Sequence, residues 1–501
     1  MAEPFYITTA ISYPNGRPHI GHAYEAIAAD AMARFRRAQG RDVRFVTGTD
    51  EHGLKMIQTA RGEGRDTLEF ADEMSGYFRE MCSNLNISYD AFVRTSEPRH
   101  YEASTAIWKA MEAAGDLYLD RYEGWYSVRD EAFYDESELS GGECGEKLSP
   151  QGTPVEWTAE ETWFFRLSKY QDRLLQLYRD QPDFVRPESR RNEVVRFVEG
   201  GLKDLSVSRT SFDWGVPVPG SPGHVMYVWV DALTTYMTGV GYPETKGEFE
   251  RYWPADVHLI GKDIVRFHAV YWPAFLMSAG LPLPKQVFGH GFILARGGEK
   301  MSKSLGNVVD PMDMANRYGV DALRYFLLRE VSFGQDGSYS HEAIVNRVNS
   351  ELANSFGNLA QRSLSMIFKN LGGVLPDAGE AQEDRALLDH VARGCSELAT
   401  EFDRFAFSVG LEAWIGAVFA CNAYIDAAAP WALKKSDPER MAAVLGTLVV
   451  AVRELADAVA PIIPASAERL IALIDGGKDG KPIGQPTPIF PRLELEEEAA
   501  A

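Results

Sequence analysis

The N-terminal part of the chain alternates short apolar runs with longer stretches in which apolar residues recur every three or four positions. Residues 5–11 form one such run, residues 23–35 show the helical spacing, and residues 42–46 form a second run. Short apolar runs predict buried strands, whereas a spacing of three or four predicts a helix. The alternation predicts βαβ units, and therefore an α/β fold built on a parallel sheet.

The pattern changes three times further along the chain. An irregular, aromatic-rich segment begins near residue 116, the strand–helix alternation returns near residue 225, and helical spacing dominates beyond about residue 340. These changes predict a sheet domain that is interrupted by an insertion and followed by a helical bundle. The predicted segments are the first half of the sheet domain (1–115), the insertion (116–215), the second half (216–300), a linking region (301–345), the helical bundle (346–475) and a tail (476–501).

The composition is that of a globular protein in a reducing compartment. Hydrophobic residues make up 45% and charged residues 25% of the 501 residues, and the four cysteines are scattered, which favours the cytoplasm. No apolar run approaches the about 20 residues of a membrane span, and no secretory signal is visible. The net charge of −21 disfavours a general nucleic-acid binder, but only a local basic surface is needed to meet phosphates.

The turn between the first predicted strand and helix carries the sequence His19-Ile20-Gly21-His22. A helix start aims free backbone N–H groups and a positive dipole end at its surroundings, so the turn predicts an anion site. Gly21 allows a ligand to approach the backbone closely. The alternative interpretation is that the two histidines only cap or pack the helix start.

A second polar motif, Lys300-Met301-Ser302-Lys303-Ser304, follows two glycines. Its two cationic side chains suit a loop that binds phosphates, although a solvated turn is the commoner role of lysine beside glycine. Together the two motifs resemble the two signatures of class I aminoacyl-tRNA synthetases. The resemblance implies that His19, Gly21, His22, Lys300, Ser302 and Lys303 bind ATP, with the two histidines and two lysines as the catalytic residues.

Further motifs resemble the methionyl-tRNA synthetase family within that class. The resemblance implies that Asp50 accepts the ammonium of L-methionine, whereas its position after a strand also suits a helix N-cap. The chain departs from the family at two of the implied positions, where the family more often has Leu and Pro. The implied methionine-binding residues are Ile11, Tyr13, Asp50, Trp229, Ala232, Leu233, Tyr236, His268 and Tyr271, of which Ile11 and Leu233 are the departures and Trp229 and Tyr271 would alone suggest ordinary core.

The resemblance also implies ATP with Mg²⁺ as cofactor and a nucleotide site that includes Gly261, Asp263 and His290. Many relatives carry a zinc knuckle in the insertion, but Ser127 and Asp130 stand where those relatives have thiolates, and Cys144 has no nearby partner. Structural zinc requires four soft ligands, so we expect none. The insertion is also too short for the editing domain of isoleucyl-, valyl- or leucyl-type enzymes.

The helical bundle resembles the family's anticodon-binding domain. Asn358 and Arg362 are four residues apart and share a helix face, and by resemblance they contact base edges of tRNA(Met) while Trp431 stacks on a base. Core packing is the alternative for Trp431. We expect a cytoplasmic monomer that ligates methionine to initiator and elongator tRNA(Met). The rival hypotheses are a cysteinyl-type class I synthetase and a non-catalytic tRNA-binding paralogue.

Overall fold

The computed structural model describes residues 2–130, 132–142, 145–294, 301 and 308–495. Its contacts divide the chain into two compact units. Unit 1 consists of Met1–Pro18, Arg36–Ser83 and Ile87–His290, and unit 2 consists of His19–Phe35, Asn84–Asn86 and Gly291–Ala501.

Unit 1 is built on a six-stranded sheet in which every neighbouring pair of strands is parallel. The strand order is β3-β2-β1-β13-β14-β9. The order reverses beside β1, whose two neighbours are β2 and β13, and ligands of open α/β sheets bind at such a switch point. The strands are β1 (Pro4–Thr9), β2 (Asp42–Thr49), β3 (Ala91–Arg94), β9 (Val185–Arg186), β13 (Val257–Gly261) and β14 (Val287–His290).

The central strands are apolar because both faces of the sheet are covered. In β13 every residue is buried, and in β1 every residue after Pro4 is buried. Ile7 pairs with Phe45 on one side and with Val257 on the other. A continuous apolar run rather than an alternating one is what a parallel sheet covered on both sides requires.

Eight helices of unit 1 pack around this sheet among the residues described. Their core includes the fully buried rings of Trp108, Phe165, Phe275 and Trp272. The helices are α2 (Leu54–Gly62), α3 (Thr67–Asn84), α4 (Pro98–Ala113), α5 (Gln171–Asp180), α6 (Glu188–Glu199), α7 (Val228–Thr238), α8 (Glu248–Tyr252) and α9 (Trp272–Ala279), with a π-helical turn at Phe267–Tyr271 before α9.

The predicted insertion contains a four-stranded antiparallel sheet of order β10-β8-β4-β5. The two long strands pair over most of their length, with Trp125 opposite Trp157. The strands are β4 (Leu117–Ser127), β5 (Ala132–Tyr134), β8 (Glu156–Phe165) and β10 (Leu205–Ser206), and short pairs are formed by β6 (Ser140–Gly141) with β7 (Lys147–Leu148) and by β11 (Ser208–Arg209) with β12 (Val225–Met226).

Unit 2 is helical except for the short parallel pair β15 (Ile293–Leu294) and β16 (Gly337–Ser338) within its described part. Trp414 is fully buried against Tyr325 and Phe356 and donates to the carbonyl of Leu455 at 3.0 Å. The helices are α1 (Ile20–Ala38), α10 (Pro311–Tyr318), α11 (Val320–Glu330), α12 (His341–Arg347), α13 (Asn358–Asn370), α14 (Gln382–Phe402), α15 (Phe407–Ala428), α16 (Pro430–Ser436), α17 (Pro438–Val459) and α18 (Pro464–Asp475), with π-helical geometry at Val348–Gly357.

The observed architecture confirms the predicted fold class of a parallel-sheet core with a helical C-terminal region. Helix α1 directly follows β1 and its turn in the sequence, yet most of it groups with unit 2. The reason lies in its contacts, since its Asp30 and Phe35 meet Arg324 and Phe402. That grouping was not expected from the predicted segment 1–115.

One helical stretch among the residues described, Phe407–Ser436, is apolar enough by length and composition to cross a membrane. Its most apolar part contains no more than two charged side chains. A core helix satisfies the same criterion, and within this stretch Trp414, Val418 and Cys421 are buried against other helices of unit 2.

Candidate functional site

Several predicted site residues lie at the carboxyl edge of the parallel sheet in unit 1. Ile11 and Tyr13 follow β1, Asp50 follows β2, Gly261 ends β13, and His290 ends β14. Neighbouring positions also pair across the sheet, since Gly261 lies opposite His290 and Ser12 forms a bridge with Thr49. The edge is therefore the one at which α/β sheets bind their ligands, and it includes the switch point beside β1.

Asp50 is held by the backbone rather than used as a helix cap. Its N–H donates to the carbonyl of Ser12 at 2.8 Å, and its side chain is largely buried. Helix α2 begins at Leu54, and Gly53 with φ 107° precedes it. The N-cap interpretation of Asp50 is wrong because three residues separate it from the helix. A carboxylate near the switch point is suited to bind a substrate ammonium.

Half of the eight residues predicted to bind the methionine side chain lie on helix α7. Residues 226–236 look like a strand that leads into a helix, but the strand β12 ends at Met226 and the helix starts at Val228. Four predicted residues, Trp229, Ala232, Leu233 and Tyr236, therefore share this helix. The indole of Trp229 stacks on Phe267 with a centroid distance of 3.8 Å and an interplanar angle of 5°. Phe267 was not predicted, although it directly precedes His268 in the sequence.

His268 links the π-helical turn to helix α7. Its Nδ1 donates to the carbonyl of Ile264 at 2.9 Å, so its Nε2 accepts the hydroxyl of Tyr236 at 2.6 Å. Burial lowers the pKa of His268 to about 4, against the weaker effect of the Ile264 hydrogen bond. A neutral imidazole and an aromatic wall form an apolar surface suited to a thioether.

The remaining predicted wall residue, Tyr271, packs edge-on against Phe267 at 5.5 Å. Burial raises the pKa of Tyr271, so its hydroxyl stays protonated. Beneath Tyr236, the buried ring of His258 stacks at 4.3 Å and bonds to Thr8 at 2.8 Å. Burial holds the pKa of His258 well below 6.5. The wall therefore rests on a second neutral histidine.

The helix start that carries His19 and His22 lies in unit 2, and its N–H groups have partners. The N–H of His19 donates to Nδ1 of His22 and the N–H of Gly21 donates to Nδ1 of His19, both at 3.1 Å. The N–H of Ile20 donates to the carbonyl of Val309 at 3.0 Å. The expectation of free N–H groups is therefore wrong, because the imidazoles act as local caps. Since each Nδ1 accepts, a neutral ring carries its proton on Nε2.

The nucleotide residues of unit 1 are close together, whereas the lysine motif is outside the described residues. A carboxylate oxygen of Asp263 lies so near Gly261 that a Cβ there would be 2.7 Å from it. His290 is largely buried at the neighbouring strand end. The predictions for Lys300, Ser302 and Lys303 fall on residues that the structure does not describe.

Two of the predicted anticodon residues, Arg362 and Trp431, lie against each other within unit 2. Arg362 lies 5.3 Å from the ring of Trp431 and bonds to Asp426 at 2.9 Å. Asn358 begins helix α13 and is exposed. Trp431 is 49% exposed, so the alternative of core packing is wrong for it. It lies in the first turn of α16 rather than at the end of α15, because Ala429 adopts φ 46° between the two helices.

The insertion has a hydrogen-bonded cluster that includes Ser127 and Asp130, the two positions considered above as possible zinc ligands. Asp130 accepts the hydroxyls of Ser149 at 2.6 Å and Thr153 at 2.5 Å, and Ser127 bonds to Thr153 at 2.7 Å. Within the described residues, no group of three or more His, Cys, Asp and Glu side chains is arranged to hold a metal ion. Cys144 is outside those residues. The side-chain oxygen atoms in this part of the insertion are thus hydrogen-bonded to one another.

A family model described as "tRNA synthetases class I (M)" matches residues 5–364, which places the chain in class I. A second model, "Anticodon binding domain of methionyl tRNA ligase", matches residues 375–485. The methionine–tRNA ligase of Brucella suis is 57% identical over 99% of both chains, and that of Mesorhizobium japonicum is 60% identical over 94% of this chain and 91% of its own. A structure of Mycobacterium tuberculosis methionyl-tRNA synthetase in complex with methionyl-adenylate is 53% identical, with a TM-score of 0.94 over 98% of this chain and 100% of its own. The chain belongs to the methionyl-tRNA synthetase family.

Proposed function

We propose that this chain activates L-methionine with ATP and transfers the methionyl group to tRNA(Met), both initiator and elongator. The observation that carries the proposal is the carboxyl edge of the sheet in unit 1. There Asp50 follows β2, Gly261 and His290 end neighbouring strands, and the aromatic wall of α7 has the character of a thioether site. Family membership supports the same activity.

In the first step a carboxylate oxygen of methionine attacks the α-phosphorus of ATP. The bond between that phosphorus and the bridging oxygen breaks, and pyrophosphate leaves with the electron pair. Both reactants are anionic, so the enzyme must hold them in line and stabilise negative charge on the phosphates. In the second step a ribose hydroxyl of the terminal adenosine of tRNA attacks the methionyl carbonyl, and AMP leaves.

The role proposed for His19 and His22 follows from their tautomers. Each Nδ1 accepts a backbone N–H, so a neutral ring carries its proton on Nε2, and an Nε2–H group can donate to a phosphate oxygen. We assign Lys300 and Lys303 to the β- and γ-phosphates on the basis of their motif. Mg²⁺ supplies charge neutralisation when it is bound with ATP. It prefers phosphate oxygens and water over an all-protein cage, so it needs no carboxylate cluster from this chain.

The two ends of methionine have different proposed contacts. Asp50 binds the ammonium of methionine, and the methionine side chain lies against Trp229, Tyr236 and His268. An apolar pocket discriminates a missing methylene by only about 1–3 kcal/mol. Homocysteine, which lacks the terminal methyl group, should therefore be activated at a measurable rate.

An ATP–pyrophosphate exchange assay with a panel of amino acids tests the proposal. We expect exchange with L-methionine, and exchange with homocysteine reduced by about 10- to 200-fold. Exchange with cysteine instead would favour the cysteinyl-type alternative. Binding of tRNA(Met) without exchange for any amino acid would identify a non-catalytic paralogue.

We further propose that the chain acts as a cytoplasmic monomer. The described cysteines, Cys82, Cys395 and Cys421, do not form disulfides, as is usual in a reducing compartment. Light scattering coupled to size-exclusion chromatography should give a mass near 55.7 kDa. A mass of twice that value would contradict the monomer.

A further inference from the structure

A buried carboxylate with two histidine partners lies behind the proposed methionine site in unit 1. Oδ2 of Asp231 lies 2.5 Å from Nδ1 of His52, and its Oδ1 lies 2.6 Å from Nε2 of His100. All three side chains are at most 2% exposed. We call these three residues the Asp231 cluster. They are not among the residues predicted to bind substrate.

The hydrogen bonds of the cluster have a defined direction, because an ionised carboxylate can only accept. Each histidine therefore donates one ring N–H to Asp231. Burial alone would raise the pKa of Asp231, but the charge of His52 and the hydrogen bonds of both histidines outweigh it and lower the pKa to about 2. The other ring nitrogen of each histidine lies within hydrogen-bond distance of a hydroxyl group. Nε2 of His52 is 3.1 Å from the hydroxyl of Tyr101, and Nδ1 of His100 is 2.9 Å from the hydroxyl of Thr238.

The cluster joins three elements that carry or support the methionine site. Asp231 lies on α7, between Trp229 and the pocket residues Ala232 and Leu233. His52 lies two residues after Asp50, in the segment between β2 and α2. His100 lies on α4, which packs against α7. The carboxylate thus connects the helix that carries the thioether wall to the segment that carries the ammonium acceptor.

The neighbours of Asp50 are fixed on their other sides by separate contacts. The carboxylate of Glu51 binds Arg94 at 2.7 and 2.9 Å, and its N–H donates to Thr95 at 2.8 Å. The indole of Trp214 donates to the carbonyl of Glu51 at 2.5 Å. These contacts tie the segment to β3, to Thr95 directly after β3 and to Trp214, whereas His52 ties it to α7.

We infer that the Asp231 cluster positions Asp50 relative to the wall of α7, and so fixes the distance between the two ends of bound methionine. The inference rests on the proposed function, since it concerns the same substrate. None of the three side chains needs to touch methionine or ATP. They act on the reaction only through the placement of Asp50 and Trp229, which makes them positioning residues.

The test compares Asp231→Asn with the wild type in pyrophosphate exchange. An asparagine presents one amide N–H₂ group where the carboxylate accepted, so it opposes an N–H of one histidine. Displacement by about 1 Å can reduce a rate about 100-fold, and we expect kcat/KM for methionine to fall about 10- to 100-fold. The KM for ATP should change little.

Matched variants separate positioning from simple destabilisation. His52→Asn and His100→Gln keep an N–H donor near the lost ring nitrogen and should retain most of the activity, whereas His52→Leu and His100→Leu should not. Asp116→Asn is the control, because Asp116 is a buried carboxylate of unit 1 that binds Tyr170 and Ser278 instead. It should lower the melting temperature without changing the KM for methionine.

A double-mutant cycle tests whether Asp231 acts through Asp50. If it does, Asp231→Asn should weaken methionine binding far less in an Asp50→Asn background than in the wild type. Additive effects, or an Asp231→Asn enzyme whose only defect is a lower melting temperature, would overturn the inference. Absence of methionine-dependent exchange in the wild type would instead overturn the proposed function.

Discussion

Asp30 of helix α1 and Arg324 of helix α11 form an ion pair that is fully buried in unit 2. Nη2 of Arg324 lies 2.6 Å from Oδ2 of Asp30, and neither side chain is exposed. The same guanidinium donates to the carbonyls of Pro461 and Ile462 at 3.0 and 2.8 Å. Helix α1, which carries His22, is thereby fixed to α11 and to the turn between α17 and α18.

Removing one partner of this pair should strongly destabilise unit 2. Asp30→Ala leaves a buried guanidinium without its counter-charge, which typically costs about 3–5 kcal/mol. Urea unfolding followed by circular dichroism measures the loss. Lys478→Ala is the control, since its ion pair with Asp475 is exposed and should contribute little to stability. Equal effects of the two substitutions would contradict the prediction.

Lys303→Ala should slow adenylate formation much more than it weakens methionine binding. Its ammonium is proposed to stabilise charge on the departing pyrophosphate, and loss of one such donor typically costs about 100-fold or more in rate. Exchange kinetics together with calorimetric titration of methionine measure the two effects. Lys109→Ala on α4 is the control, because Lys109 is an exposed lysine. An unchanged turnover for Lys303→Ala would exclude the proposed role.

The stability of the protein should fall as the pH is lowered from about 6.5 toward 4, in part because of His268. Its folded pKa of about 4 is below the unfolded value of 6.5, so the unfolded chain binds more protons in this range and is favoured. At pH 5 this one group should cost about 2 kcal/mol relative to pH 7. The His258 ring acts in the same direction.

The measurement is the melting temperature of the wild type and of His268→Gln at several pH values. The variant cannot titrate at this position, so its melting temperature should fall less between pH 7 and pH 5. His390→Gln, at an exposed position on α14, should keep the slope of the wild type. A parallel decline of wild type and His268→Gln would show that the imidazole is not buried in its neutral form.

Trp431→Ala should impair aminoacylation of tRNA while leaving exchange and stability unchanged. Stacking of a base on an aromatic ring contributes about 1–3 kcal/mol, which corresponds to a loss of about 5- to 150-fold in kcat/KM for tRNA. Phe419→Ala is a matched control, because Phe419 is 50% exposed on the neighbouring helix α15. If Trp431→Ala instead unfolds more easily and charges tRNA normally, the ring has a structural role.

Asp130→Ala should destabilise the insertion, because the hydroxyls of Tyr134, Ser149 and Thr153 lose their acceptor. Leaving buried donors unsatisfied costs about 1–3 kcal/mol, and hydrogen exchange should rise in β4, β5 and β8 specifically.

Elemental analysis of the purified wild type should find no stoichiometric zinc. One zinc per chain would contradict the expectation drawn from Ser127 and Asp130.

The sequence allowed the sheet and its functional edge to be predicted because parallel strands are apolar runs with distinct ends. The positions of Asp50 and Gly261 followed directly from those ends. The start of α7 could not be predicted, since residues 225–236 are mostly apolar and almost all buried, and a buried strand and a buried helix then look alike. Contacts between residues distant in sequence, such as Trp229 with Phe267 and Asp231 with His52, leave no trace in local spacing.

The imidazole of His19 is the first reason why position 21 requires glycine. A Cβ there would lie 2.9 Å from Cε1 of His19, so alanine would push that ring off the backbone it now covers. The two rings occupy the backbone donors that a phosphate would otherwise use. A nucleotide that bound to these N–H groups would replace the imidazole nitrogens as their acceptors, so the N–H groups would have a hydrogen-bond partner both before and after binding.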